Sequence, residues 1–229
     1  MKIETLKQII KKNSLNEQFA IITNLSNGSS EIFKIGSSLS KNFINFKNEI
    51  ENYYNLKKSG IINNTEIFIE NYFKPVEVII VGAVHITQYL IEFLKKINFE
   101  ITVIDPREYF VTKQKFQNIK IISKWPEEVF KKIRTDSNTA LITLTHDPKI
   151  DEPALKHALK KKFFYIGALG SKKTHKNRCK RLKEDGFNNK EIGSIHGPIG
   201  LDIGGKSAPE IALSIVAQLV SERNKTIKI

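Results

Sequence analysis

Five short segments gather the residue types that chemistry needs. Gly82-Ala83-Val84-His85 joins an apolar run to an amphipathic one, the place of a glycine-rich nucleotide turn. Asp105 follows 23 residues after Gly82, about where a ribose-binding acid stands in such folds. Val84 occupies the place of the second glycine, whose missing side chain lets a pyrophosphate approach the backbone, and the third glycine is absent as well. The spacing suits a dinucleotide such as NAD(P). The side chains argue against ordinary tight NAD binding, and the alternatives are a bare structural turn and another anionic cofactor.

Asp105-Pro106-Arg107 sets an acceptor beside a guanidinium fork able to clamp a phosphate, or else makes a solvated turn with an internal ion pair. In Thr145-His146-Asp147-Pro148, His146 has the chemistry of a general acid, base or metal ligand. No second His or Cys stands at ligand spacing, so a hydrogen-bonded histidine beside a helix start reads equally well. Gly167 and Gly170 bracket a strand-to-helix turn in which Ser171 is the expected N-cap, a place for an anion. Lys172 and Lys173 fall in the first turn, against the helix dipole, and a bound anion would offset that cost. His175 and Arg178 lie on the side of Ser171; the alternative is a lysine-rich solvated face with His175, Cys179 and Leu182 partly in the core. His196 to Gly205 packs four of the twelve glycines into ten residues, which presents amides to a ligand or makes a tight crossing. Asp202 there is a ligand contact or the head of an Asx-turn. Nothing has the pattern of a Ser/His/Asp triad, a GxxxxGK[ST] phosphate loop or paired glycosidase carboxylates. No catalytic residue and no protein-held metal are expected.

The elements that must hold these segments alternate. VEVIIVG (76–82), ITVID (101–105), IKII (119–122), ALITLT (140–145) and FFYIGAL (163–169) read as buried strands. Between them lie helical stretches: one with Ile86, Leu90, Leu94 and Ile97 on its apolar face, one from about Pro126, one opening at Asp151. This is the pattern of an α/β, doubly wound, mostly parallel Rossmann-like sheet, with 3-2-1-4-5 as the expected order. Gly186 should end the basic helix with Phe187 folding back, and Ser207-Ala208-Pro209-Glu210 should cap the last one. Residues 1–74 read as a small α+β N-terminal unit, separate from residues 75–229. Its expected parts are a hairpin of Phe19–Leu25 and Glu31–Gly36 about Asn27-Gly28, a polar helix near 41–58 and a strand at 66–72.

Composition bounds the rest. At 229 residues with 40% hydrophobic and 27% charged residues, the chain supports a packed core. No apolar run approaches a membrane span, the N-terminus has no secretory core, and the single cysteine forbids an internal disulfide; a cytoplasmic protein is expected. The formal charge of +13 points to anionic partners, yet Lys, Ile and Asn supply 86 residues, the bias of an AT-rich genome. The local pattern says more: residues 156 to 183 hold eleven Lys or Arg and no acid. Nucleic acid is not expected as a partner, because the nearby aromatics Phe163, Phe164 and Tyr165 lie in a strand rather than interleaved with the cations.

Taken in order, IIVGAVHI, VIDPR, TLTHDPKIDEPAL, FYIGALGSKKTHKNR and IHGPIGLDIGGKSAPEIALSI resemble the Rossmann-type domain of the XdhC/CoxI family, over about residues 76–221. That resemblance implies a maturation factor rather than a catalyst, one that binds molybdenum cofactor (molybdopterin), protects it during sulfuration and hands it to an apo molybdenum hydroxylase of the xanthine dehydrogenase type. It implies an apo hydroxylase and a cysteine desulfurase as partners, and a homodimer. Helix N-termini and Arg107 would hold the anionic end of the cofactor, with His146 and Asp202 near its pterin. An NAD(P)-binding oxidoreductase or dinucleotide-binding regulator is the alternative, with His146 as proton donor. The chain departs from the family in Val84, where many members have glycine, and in the absence of any cysteine from its first 74 residues.

Overall fold

The computed structural model describes residues 6–7, 9–10, 12, 18–108 and 119–226, the side chain of residue 226 excepted. They fall into two compact units, one up to Lys74 and one from Pro75 to Thr226.

In the first unit, β1 (Phe19–Asn24) and β2 (Ser30–Phe33) form the expected hairpin. Gly28 takes a φ of 69° at its turn, and the Asn27 side chain accepts from the Ser29 amide. After a 3-10 turn at Ile44–Phe46, helix α1 covers only Lys47–Asn55. It stops short of the expected residue 58 because Lys57 turns left-handed at φ 52°. Two further strands, β3 (Gly60–Ile61) and β4 (Ile67–Tyr72), complete an antiparallel sheet of order β2-β1-β4-β3. Ile22, Phe33, Phe43, Ile50 and Ile69 fill its core.

The second unit carries six parallel strands: β5 (Glu77–Val81), β6 (Glu100–Ile104), β7 (Lys120–Ile122), β8 (Thr139–Thr143), β9 (Tyr165–Ala168) and β10 (Ile195–His196). Their order is β10-β9-β8-β5-β6-β7, the doubly wound order with one more strand than the sequence announces. β10 is two residues long, pairing Ile195 with Ile166 and His196 with Gly167. From Val78 onward β5 is buried on both faces, hence its β-branched run.

Helices α2 (His85–Lys96) and α7 (Ala208–Thr226) cover one face of the sheet, packing Leu90, Leu94, Ala212 and Ile215 on Val78, Ile80, Val103 and Ile142. The other face is covered by α3 (Pro126–Phe130), α4 (Pro148–Leu159) and α5 (Lys172–Glu184), through Val129, Ile150, Leu155 and Leu182. A four-residue helix, α6 (Asn189–Ile192), carries a capping box made by Asn188 and Glu191.

Two sequence expectations shift. Ile97 lies beyond the last turn of α2 and is exposed, and Ile91 buries in its place. Helix α4 opens at Pro148, three residues before Asp151. Asp147 makes the N-cap by accepting from the Lys149 amide, and Pro in the first turn needs no amide donor. At the far end of α5, Gly186 (φ 92°) turns the chain and the Phe187 amide reaches back to Leu182 O, so Phe187 buries as expected. Glu210 Oε2 accepts from the Lys206 and Ser207 amides ahead of α7.

Candidate functional site

Register brings the chemical segments together. Val81 pairs with Ile104 on one side and Thr143 on the other, and Thr143 pairs with Ala168. The residues that follow (Gly82, Asp105, Leu144 and Leu169) therefore leave the sheet along one carboxyl edge. The order reverses there between β5 and β8, the place where open α/β sheets bind ligands.

Gly82 is held where only glycine fits. Its φ is 117°, and a Cβ would stand 2.9 Å from Thr145 Cγ2. Its amide donates to Ile104 O, and its carbonyl accepts from Thr87 Oγ1 at 2.6 Å. Val84 is the N-cap of α2 and supplies no side-chain cap; the His85 ring meets Tyr89 edge-on at 5.2 Å.

Asp105 is wholly buried, and its carboxylate is saturated. Oδ1 accepts from the Arg107 amide (3.0 Å) and Nε (2.9 Å). Oδ2 accepts from the Ala83 amide (2.8 Å) and Arg107 Nη2 (2.7 Å). Those four bonds use the four lone-pair sites of a carboxylate. Burial alone would raise its pKa, but the bonds from Arg107 and Ala83 hold it below the usual range, and the same pair raises Arg107. The geometry makes Asp105 and Arg107 an internal ion pair, the second of the two readings open for this turn. The Asp105 oxygens tie the β5 turn to the β6 turn through the Ala83 amide.

On the other side of β5, Asp151 plays the organising part. It is 1% exposed in the first turn of α4. Oδ1 accepts from Thr145 Oγ1 (2.7 Å) and more loosely from the Thr145 amide, while Oδ2 accepts from the His146 amide (3.1 Å). Thr145 Oγ1 in turn accepts from the Asp147 amide. This net fixes His146 at φ 62°, a left-handed conformation uncommon for a non-glycine residue. Burial pushes the Asp151 carboxyl up to about 6, against the pull of Thr145 and of the Arg178 charge. Sequence reasoning gives Asp151 only as a helix start; a carboxylate three residues into a Pro-initiated helix is the signal it misses.

Beyond β9, Ser171 caps α5 as expected, accepting from the Thr174 amide at 3.1 Å. Lys172 and Lys173 are exposed in the first turn, which holds no acid. Gly167 lets Ile199 and the Tyr165 hydroxyl close over it, and Gly170 (φ 141°) lies against Thr174. Arg178 is 3% exposed and donates from Nη2 to Leu169 O at 2.8 Å. Burial lowers its pKa and that of His175, the latter aided by the Arg178 charge. His175 is half-buried, with Nε2 3.4 Å from Cys179 Sγ, and its ring fills the place of a Gly197 side chain.

The glycine-rich loop is mostly a crossing. Gly197 accommodates His175, Gly200 (φ 95°) accommodates Ser214, and Gly205 lies where a Cβ would come 2.6 Å from Glu210 Cβ. Asp202 is exposed on this loop. No three His, Cys, Asp or Glu side chains converge as a metal site among the described residues, and no helix there is long and apolar enough to cross a membrane.

Residues 78–219 match the family described as the XdhC Rossmann domain. The molybdenum cofactor insertion chaperone PaoD of Escherichia coli is 40% identical over 88 residues, 38% of this chain and 28% of that protein. A Bacillus subtilis protein described as a probable xanthine dehydrogenase component is 28% identical over 163 residues, 70% of this chain and 47% of its own length. The matched region is thus under half the length of either relative. A crystal structure described as a xanthine dehydrogenase from Bacillus halodurans superposes with a TM-score of 0.73 at 24% identity, over 97% of this chain and 64% of the other, a likeness of fold.

Proposed function

The chain belongs to the XdhC family, and from that premise we propose that it binds molybdenum cofactor and inserts it into an apo molybdenum hydroxylase. The observation that carries the reading is the saturated Asp105. With all four acceptor sites used and the Ala83 amide taken, the β5 turn is a closed brace rather than a dinucleotide seat. The NAD(P)-binding alternative is not favoured by that geometry. The anionic cargo instead meets the α5 N-terminus, where Ser171 fixes the turn and Lys172 and Lys173 supply charge.

The residues divide the work. Asp105–Arg107 and Asp151–Thr145 brace the two loops that flank β5, so neither must reorganise when cargo arrives. Arg178 holds the Leu169 carbonyl and so sets the direction in which the α5 amides point. Lys172, Lys173 and the α5 amides would hold the anionic part of the cofactor. A cysteine desulfurase acting on the bound cofactor and a homodimeric carrier belong to the same reading.

The test is transfer. Protein loaded with cofactor is mixed with a molybdenum-free hydroxylase, and hydroxylase activity is followed against free cofactor at equal concentration. The reading expects faster and more complete activation from the loaded protein. Activation no better than by free cofactor would overturn it.

A further inference from the structure

The amino edge of the parallel sheet carries a cleft that the site at the carboxyl edge does not use. It has a volume of about 450 Å³ and lies between the last turn of α4, the start of β9 and α6, among Leu159, Lys161, Phe163, Phe164, Lys190 and Glu191. Phe163 and Phe164 are half-buried, so they form walls of the recess rather than projections from it. Phe163 is held in place: it meets the His157 ring edge-on at 6.3 Å, and that ring stacks on Phe130 at 4.5 Å.

Lysines ring the recess. Lys160, Lys161 and Lys162 follow the last turn of α4, Lys190 stands in α6, and all four are exposed. Lys160 lies over the Phe187 ring at 5.7 Å. Lys161, Lys162 and Lys190 have no ion-pair partner among the described residues. The carboxylate that lines the recess, Glu191, is engaged, since its Oε2 accepts from the Asn188 amide in the capping box of α6. Elsewhere in the basic stretch the fold supplies acids: Asp185 meets Lys156 at 2.7 Å, and Glu152 meets Arg181 at 2.6 Å. The excess is not a uniform lysine bias either, because outside residues 156–183 the chain holds 26 Lys or Arg against 24 Asp or Glu. One cation answers the dipole at the end of α4; three in a row with a fourth across the recess call for negative charge from outside.

Recessed aromatic walls inside a cationic rim fit a large apolar side chain flanked by carboxylates. A membrane surface would call for apolar side chains that project, and single-stranded nucleic acid for exposed ring faces on which bases stack. The half-buried Phe163 and Phe164 offer neither. We propose that this amino-edge cleft docks an acidic segment of a partner protein, with one apolar residue of the segment in the recess and its carboxylates on Lys161, Lys162 and Lys190. The cleft lies at the opposite end of β9 from the α5 N-terminus, so a partner here leaves the carboxyl edge open. The inference does not rest on the carrier reading.

The probe is a fluorescein-labelled peptide, Glu-Asp-Glu-Phe-Glu-Asp-Glu, titrated with the full chain up to millimolar concentration and followed by fluorescence anisotropy. It is compared with the same peptide carrying Ala in place of its Phe. The expected result is saturable binding of the first, roughly tenfold tighter than of the second, the worth of one buried apolar side chain. Changing Lys161→Glu and Lys190→Glu together, both exposed, should weaken that binding by roughly tenfold or more, with the urea-unfolding midpoint close to that of the wild type. The control pair Lys96→Glu and Lys124→Glu makes the same change of charge at exposed positions outside the recess and should leave binding within about twofold. No binding, equal binding of the two peptides, or a loss as great in the control pair would overturn the proposal. Phosphatidylserine vesicles or oligothymidylate bound in preference to the peptide would overturn it in favour of a membrane or a nucleic acid. Self-association of the chain that the Lys161 and Lys190 changes abolish would overturn it in favour of a second copy.

Discussion

Asp151→Asn puts the electrostatics of the site to a quantitative test. In the folded protein the carboxyl titrates at about 6, raised by burial at 1% exposure from an ordinary value near 3.8. The folded state therefore binds a proton that the unfolded chain has released between those two values. Stability from this group is fully present below about pH 3.8 and is lost as pH rises through about 6. With about 1.4 kcal/mol per pH unit, the loss amounts to roughly 3 kcal/mol. Asparagine keeps an acceptor for Thr145 and carries no charge to bury, but it gives up the bond from the His146 amide, at a cost of about 1–3 kcal/mol. The variant should thus be less stable than wild type at pH 4 and match or exceed it at pH 8. The assay is urea unfolding of both proteins at several pH values, read from the fluorescence of Trp125, the single tryptophan, which stands at the N-cap of α3 in the second unit. The difference in unfolding free energy should move by about 2.5 kcal/mol in favour of asparagine between pH 4 and 8. A difference constant within about 0.5 kcal/mol would refute the argument, because Asp151 would then titrate in the folded protein much as it does in the unfolded chain.

Three further outcomes follow from the same geometry. Arg107→Ala leaves Asp105 buried without its cation and should cost about 2–3 kcal/mol in urea unfolding, discounted because the arginine side chain is 33% exposed. Gly82→Ala should cost roughly 2–4 kcal/mol by the same measurement, since the added methyl meets Thr145 at a left-handed φ. Lys172→Ala should separate stability from binding. Removing a cation from the first turn of α5 raises stability by a few tenths of a kcal/mol, while cargo retention on gel filtration falls.

The parallel sheet is legible in the sequence because its strands are buried on both faces, so Val78–Val81 and Ala140–Leu144 read as near-continuous apolar runs. Strand β10 is not, because two residues beside a glycine-rich stretch have no local pattern and pair only through β9. Ser171 announces its capping role, since an N-cap is a local bond between neighbours. Arg178 does not announce its burial. A helix with Lys or Arg at seven of thirteen positions reads as offering His175, Cys179 and Leu182 to the core and its cations to solvent, and only the Leu169 carbonyl, supplied by another segment, makes an inward guanidinium worthwhile. Asp105 shows the same limit from the other side. Its spacing from Gly82 does bring it to the β5 turn, but spacing cannot tell whether a carboxylate's acceptor sites remain open. Arg107, two residues later, closes them.

The central claim is most directly tested by retention. The purified full chain is mixed with free molybdenum cofactor and passed through gel filtration, and the protein peak is assayed for molybdenum and for the fluorescence of the oxidised pterin. The account predicts molybdenum and pterin together, near one per chain, in the protein peak. A peak empty of both, or one that retains NAD(H) instead, would contradict it.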